Sequence, residues 1–508
     1  MVDSTLALGL TVLTLAVFAA LGIWYTRRDE GSTDDFLTAR NSMGPGRTTA
    51  TLVASSMGVW ILLSAPEAGA GFGVAAVVGY GVGTAVPMFV YSKLGPRVRD
   101  LLPEGHSLTE YAHARYGSAM YGFVVLVSAL YMFVFVAAEL TGIAAALSLV
   151  AGVPQWQTAV LVGGFVLLYT GYGGLRATIV TDTVQAILVA PLLAIVVGGV
   201  VLAVGGPSAA VSGVAAADPT LLDPTNAAGL QFGLALAFAI FGAEMINQTW
   251  WQRIYASRDN RTVASGFRNA TVLNGAIVVV AALLGTVAVG QGGVVTDVTS
   301  GAYNADVAFF VLVESAFGEA VLLGVVLLAL LLVVSSVDSL FSALASLVTA
   351  DLPRLLADPD DRTLRLGARL LTLAVAVAAI YVSLRARSVL RLFFFADLLG
   401  AAVAVPLIYG LYSRRLTGRG ALASSVAGLG VGLAFFPDFR GVLTAIPLVG
   451  DLLPPADPLY LTAFGGAVLA STAATLVAAR LSTATFDFDR LADAGTATMT
   501  DGGAQRTE

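Results

Sequence analysis

Apolar runs of about 20 residues recur along the whole of this 508-residue chain, and that is the length an α-helix needs to cross the hydrocarbon core of a bilayer. In lipid every backbone polar group has to be satisfied within the structure, so such runs fold as helices. The chain therefore reads as an all-α integral membrane protein. Composition agrees, since 57% of residues are hydrophobic and 12% charged, where a soluble domain carries about a quarter charged residues. There is no cysteine, and His106 and His113 are the only histidines. Disulfide frameworks and Cys/His zinc centres are excluded by inventory, and no cofactor or nucleic-acid partner is implied. The net charge of −6 and the single lysine, Lys93, are compositional background. The first apolar run, Ser4 to Tyr25, lacks a basic leader and a small-residue cleavage site, so it reads as a retained span.

Thirteen spans are expected, near 4–25, 48–72, 74–92, 118–150, 155–174, 177–204, 229–249, 268–292, 318–350, 365–385, 388–412, 418–436 and 458–480. Residues 1–480 form one transmembrane domain. The stretch 481–508, rich in Ser, Thr, Asp and Gly without apolar periodicity, reads as a disordered tail. The segment 437–457 is too apolar for an ordinary loop and is expected to lie in the membrane interface. An odd number of spans puts the termini on opposite sides, and basic residues concentrate in cytoplasmic loops. An outside amino terminus leaves only Arg385, Arg387, Arg391 and Arg440 outside, with the other 23 of the 27 basic residues inside. The expected location is the plasma membrane, multi-pass, with a cytoplasmic carboxyl terminus.

Six acidic residues fall within or at the mouths of these spans: Glu67, Glu139, Asp182, Glu244, Asp338 and Asp397. An Asp at the centre of a membrane helix costs roughly 3 kcal/mol, so such groups imply cations, water or a structural network. No lysine or arginine is expected deep in those spans to pair with them. In the ninth span Ser335, Asp338, Ser339, Ser342, Ser346 and Thr349 recur three or four apart and share one face. An all-oxygen stripe suits a hard cation, although serines also serve to pack membrane helices closely. Thr178, Asp182 and Gln185 share a face of the sixth span, and Glu244, Asn247 and Gln248 one of the seventh. The second span, with Pro66 and several glycines in its outer half, is expected to break. A broken membrane helix frees carbonyls and helix ends for ions and solute; a kink or a packing face fits the same residues. Trp60 and Trp250 are candidates to enclose a solute or to anchor at the interface.

The segments DDFLTARNSMGP (34–45), LTEYAHARYG (108–117), LLYTGYGGLRATIVTDTVQ (167–185), QTWWQRIYASRDNRTVASG (248–266) and SSVDSLFSALASLVTADLPR (335–354) together resemble the sodium:solute symporter family. The resemblance implies a leucine-transporter-type fold of two inverted five-helix repeats, about 48–204 and 229–412, with extra helices at 4–25, 418–436 and 458–480. It also implies a main sodium site at the carbonyls of Ala54, Met57 and Leu332 and the hydroxyls of Ser335 and Ser336. A possible second cation site would take Asp182, Ser335, Asp338 and Ser339, with Asp338 standing where serine is more usual. Substrate-binding positions carried over or read beside them are Ser56, Trp60, Glu67, Glu139 and Glu244; Ser56 stands where the proline branch has an aspartate. The urea/polyamine branch is resembled about equally. The expected activity is sodium-coupled import of a small neutral, zwitterionic or cationic organic solute, proline-like or urea. A proton-coupled carrier of the same fold and a transporter-like sensor are the alternatives, while an enzyme is not expected. Oligomeric state is left open.

Overall fold

A computed structural model of the chain describes residues 2–26, 38–355, 361–386, 388–453, 455 and 459–492. Expectations resting on Arg27, Arg28, Arg387 and residues 34–37 and 493–508 lie outside the described residues, as does the side chain of Thr349. The first half runs α1 (Ser4–Thr26), α2 (Pro45–Ser56), a 3-10 turn (Val59–Leu62), α3 (Ser64–Leu101), α4 (Leu108–Tyr116), α5 (Ser118–Ala151) and α6 (Gln155–Ala203). The second runs α7 (Pro207–Ala217), α8 (Ala227–Met245), α9 (Gln248–Ala256), α10 (Asn260–Gln291), α11 (Ala308–Ala316), α12 (Glu319–Leu355), α13 (Asp361–Ser383) and α14 (Val389–Gly410). There follow α15 (Gly418–Phe435), α16 (Pro437–Thr444), α17 (Val449–Leu452) and α18 (Leu461–Leu481).

Among the described residues, ten helices are long and apolar enough to cross a membrane. The expected boundary between the second and third spans lies inside α3 at Gly73, whose φ of 67° and ψ of −160° glycine adopts without a side-chain clash. The expected fifth and sixth spans are likewise joined in α6.

Each expected five-helix repeat opens with an interrupted helix. In the first, α2 stops at Ser56, Met57 turns extended (φ −97°, ψ 93°), and helical structure resumes at Val59. The second interruption corrects the expectation of a continuous span over 229–249. There α8 ends at Met245, Asn247 leaves the helix (φ −73°, ψ 110°), and α9 restarts at Gln248 with the Asn247 side chain capping it by accepting from the Thr249 N–H at 3.0 Å. Side-chain capping of this kind satisfies a backbone donor that the helix itself leaves orphaned. The restart carries a second correction. All nine residues of α9 are buried, so the start of the expected loop 250–268 is interior helix.

Small residues let the helices approach closely, as membrane packing requires in the absence of a hydrophobic driving force between helices. α3 crosses α10 where a Cβ on Gly285 would fall on the backbone of Pro66, and Thr286 Oγ1 donates to the Gly69 carbonyl at 2.8 Å. A short parallel backbone pairing joins Met43 to Ser257, with Met43 N–H donating to Ala256 at 2.9 Å and Arg258 N–H donating to Met43 at 2.8 Å.

The first residues of the expected disordered tail are packed. Phe486 N–H donates to the Arg414 carbonyl at 2.7 Å, the Arg115 guanidinium lies over the Phe486 ring, those of Arg97 and Arg414 lie over Phe488, and Leu491 is fully buried. Cation–aromatic contacts of the half-buried Phe486 and Phe488 and burial of Leu491 hold this stretch in place. In 437–457, α16 buries none of its residues, and Val442, Leu448 and Leu452 are strongly exposed.

Candidate functional site

The two interruptions face each other. Ser55 and Ser56 at the end of α2, Asn247, Thr249 and Trp250 at the start of α9, Glu244, and Ser336 and Ser339 of α12 line one small void between them. The hydroxyls of Ser336 and Thr249 are buried there without a hydrogen-bond partner. The Glu244 carboxylate crosses the second gap, accepting from Asn247 Nδ2 at 3.3 Å and from the Trp250 indole N–H. Trp250 is thus a fixed partner of Glu244 and not an interface anchor; it is 1% exposed.

The structure brings four of the five expected sodium-site residues together. Ala54, Met57, Leu332 and Ser335 line one cavity of about 530 Å³, together with Gln185 and apolar residues of α6 and α10. This wall carries the carbonyl end of α2, the negative end of a helix dipole, which favours a cation. Ser336 lines the small void on the other side.

Asp182, Ser335, Asp338 and Ser339 also come together, around a group missed by the sequence reading. The Arg253 guanidinium, on α9, pairs with Asp182 Oδ2 at 3.0 Å, both side chains being 0% exposed. The same guanidinium donates to the hydroxyls of Ser55 and Ser339, each at 2.8 Å. Asp182 accepts from Thr51 at 2.6 Å, from Ser55 at 2.9 Å and, on its other oxygen, from Ser335 at 2.6 Å. Asp338 stands beside it, accepting from Thr181 at 2.9 Å and from Ser339 at 3.4 Å. The expectation that no basic side chain lies deep among these acids is therefore corrected. The interruption at Asn247 carries Arg253 from its expected loop into the bundle.

The expected substrate residues divide. Ser56, Trp60 and Glu244 line a pocket of about 40 Å³ with Tyr80, Phe135, Phe393, Phe394 and Asp397. Trp60 stacks on Tyr80 with ring centroids 5.6 Å apart, and Phe393 meets it edge-on at 6.3 Å. Glu139 is absent from that lining. Its Oε2 accepts from the Val59 N–H at 2.8 Å, and its carboxyl fills the space that a Cβ on Gly58 would need, so it props the first interruption. Glu67 also stands apart, accepting from the Tyr303 hydroxyl at 2.7 Å and so holding the loop 292–304 against α3. Tyr303→Phe is expected to loosen that loop by about 1 kcal/mol, read as several-fold faster amide exchange in residues 292–304. Unchanged exchange would assign the loop's order to other contacts. His106 faces Glu110 at 3.3 Å and His113 meets Tyr121 edge-on, both away from these pockets. Groups of three or more potential ligands that could hold a transition metal are absent among the described residues.

The sequence model of the sodium:solute symporter family matches residues 36–428. The spermidine transporter DUR31 of Candida albicans is 26% identical, covering 78% of this chain and 73% of that protein. The osmoregulated proline transporter OpuE of Bacillus subtilis is 25% identical, covering 82% and 88%. The fold matches the substrate-bound, outward-open state of a Na+-coupled sialic acid symporter with a TM-score of 0.76 at 15% identity, over 94% of this chain and 98% of that one. It also matches Mhp1, a nucleobase-cation-symport-1 family transporter, with a TM-score of 0.55 at 16% identity, over 90% and 98%. Paired helix interruptions, the likeness to these folds and a match over most of the chain lead to one conclusion: this leucine-transporter-type helical protein belongs to the sodium:solute symporter family, as a membrane transporter and not an enzyme.

Proposed function

We propose that the chain is a sodium-coupled symporter that imports a small organic cation by alternating access, with sodium at Ala54, Met57, Leu332, Ser335 and Ser336. The observation carrying the solute class is the central pocket, where Glu244 and Asp397 stand among Trp60, Tyr80, Phe135, Phe393 and Phe394 with no basic side chain in the lining. Two carboxyl groups repel a solute carboxylate, and aromatic faces attract ammonium groups. Similarity to the spermidine transporter DUR31 supports the same solute class. Among the solutes weighed from the sequence, the pocket thus favours the cationic ones over a proline-like zwitterion or urea.

Sodium bound beside the carbonyl end of α2 would stabilise the interruption on which Ser56 and Trp60 stand, and so link ion binding to the shape of the solute pocket. A membrane potential of 100 mV supplies about 2.3 kcal/mol per charge and a tenfold sodium gradient about 1.4 kcal/mol. A cationic solute adds its own charge to the drive. The bias of basic residues supports an outside amino terminus and a cytoplasmic carboxyl terminus.

Uptake of labelled spermidine, choline, proline and urea into proteoliposomes, with and without an inward sodium gradient, tests this reading. Sodium-driven accumulation of a cation is expected. Ser335→Ala should raise the sodium concentration for half-maximal uptake at least tenfold, and Glu244→Gln or Asp397→Asn should weaken cation binding by about tenfold or more. Uptake that follows a proton gradient and ignores sodium would favour the proton-coupled alternative; accumulation of proline or urea alone would overturn the solute class.

A further inference from the structure

The donor set around Asp182 is built to receive a positive charge, and it has one. A carboxylate plus hydroxyls contributed by α2 and α12 is an all-oxygen set of the kind that holds a hard cation. The hydroxyls of Thr51 and Ser55 donate to Asp182 at 2.6 Å and 2.9 Å, and that of Ser339 donates to Asp338 at 3.4 Å. Each spends its proton on a carboxylate and turns a lone pair toward Arg253, at 3.4 Å for Thr51 and 2.8 Å for Ser55 and Ser339. A bare cation in the same place would require that polarity. The guanidinium meets it with directional N–H groups and a positive charge.

We propose that Arg253 is a tethered cation occupying the second ion site, so that the carrier runs on one free sodium ion per cycle. The proposal rests on sodium being the coupling ion. It makes Arg253 a positioning residue as well. Arg253 holds Asp182, and the other oxygen of Asp182 takes the proton of Ser335 at 2.6 Å. This leaves the Ser335 lone pairs for an ion in the neighbouring cavity, where Ala54, Met57 and Leu332 also stand. The second site thus prepares the first without itself exchanging an ion.

The test counts radioactive sodium bound per purified chain at saturation in wild type, Arg253→Gln and the neutral double variant D182N/R253Q. Wild type is expected to bind one ion. Arg253→Gln should gain one more, because Asp182 is left needing a cation, and the double variant should return to the wild-type count. An unchanged count in folded Arg253→Gln overturns the proposal. If that variant does not fold, the double variant still decides, because loss of an ion relative to wild type would mean that Asp182 had been holding sodium. A wild-type count of zero would sink sodium coupling, yet a gain of one ion in Arg253→Gln would still support a tethered cation.

Discussion

Gly285→Leu is expected to remove folded transporter from the membrane. At this position even a single Cβ would fall on the Pro66 carbonyl and its neighbouring backbone atoms, and backbone cannot move aside as a flexible side chain can. The two helices would have to separate, breaking the bond from Thr286 to Gly69. Pro66 also lies in the first turn of α3, directly after the 3-10 turn that carries Trp60, so displacement there spreads to Trp60 and Ser56. Overpacking of a tight core costs about 1–3 kcal/mol and sometimes more; a backbone collision belongs at the upper end, enough to consume much of the margin of a marginally stable protein. Gly71→Ala, a substitution on the facing helix α3 with open space around the new Cβ, is the control. Size-exclusion profiles and membrane yield of the two variants check this. Equal yields would show that the α3–α10 crossing tolerates separation.

The second large effect is at the buried ion pair. Asp182→Asn keeps the shape but leaves Arg253 charged, 0% exposed and without its counter-charge. Removing one partner of a buried pair costs about 3–5 kcal/mol. Neutralising both in D182N/R253Q removes the uncompensated charge, so most of the loss should return. Thermal denaturation of the two single variants and the double forms the cycle, and additive losses would show that the pair is uncoupled. Sodium should separate the single variants further. It can replace a missing guanidinium beside Asp182 and stabilise Arg253→Gln through binding to the folded state, but it cannot replace a missing carboxylate in Asp182→Asn.

The helical class and the buried oxygen-rich face of Ser335, Asp338, Ser339, Ser342 and Ser346 on α12 were legible because each is written locally, in run length or in spacing along a helix. Asp182, Ser335, Asp338 and Ser339 share one cluster, and Ala54, Met57 and Leu332 share one cavity wall with Ser335. Arg253 was not legible for a physical reason. Arginine signals a loop when membrane topology is read from charge, and its partner lies 71 residues away in sequence. The only local hint was Asn247, a good helix-capping residue in the stretch 243–256, which has no glycine or proline. Glu67 and Glu139 were expected to bind substrate, and the structure gives each a partner away from the pocket lining. Their partners, the Tyr303 hydroxyl and the Val59 N–H, come from a distant loop and from the interruption itself. The aromatic walls from Tyr80, Phe135, Phe393 and Phe394 belong to three helices, and no periodicity in any one of them announces a pocket.

The packed stretch after α18 bears on how the protein can be handled. Phe486 and Phe488 cover Arg115, Arg97 and Arg414, while Arg97 and Arg115 donate to the carbonyls of Leu411 and Gly410 at the end of α14. A reporter or affinity handle joined directly after Leu481 would strip the cover from these guanidiniums and loosen the end of a helix that also supplies Phe393, Phe394 and Asp397 to the pocket. The usable junction begins beyond Leu491.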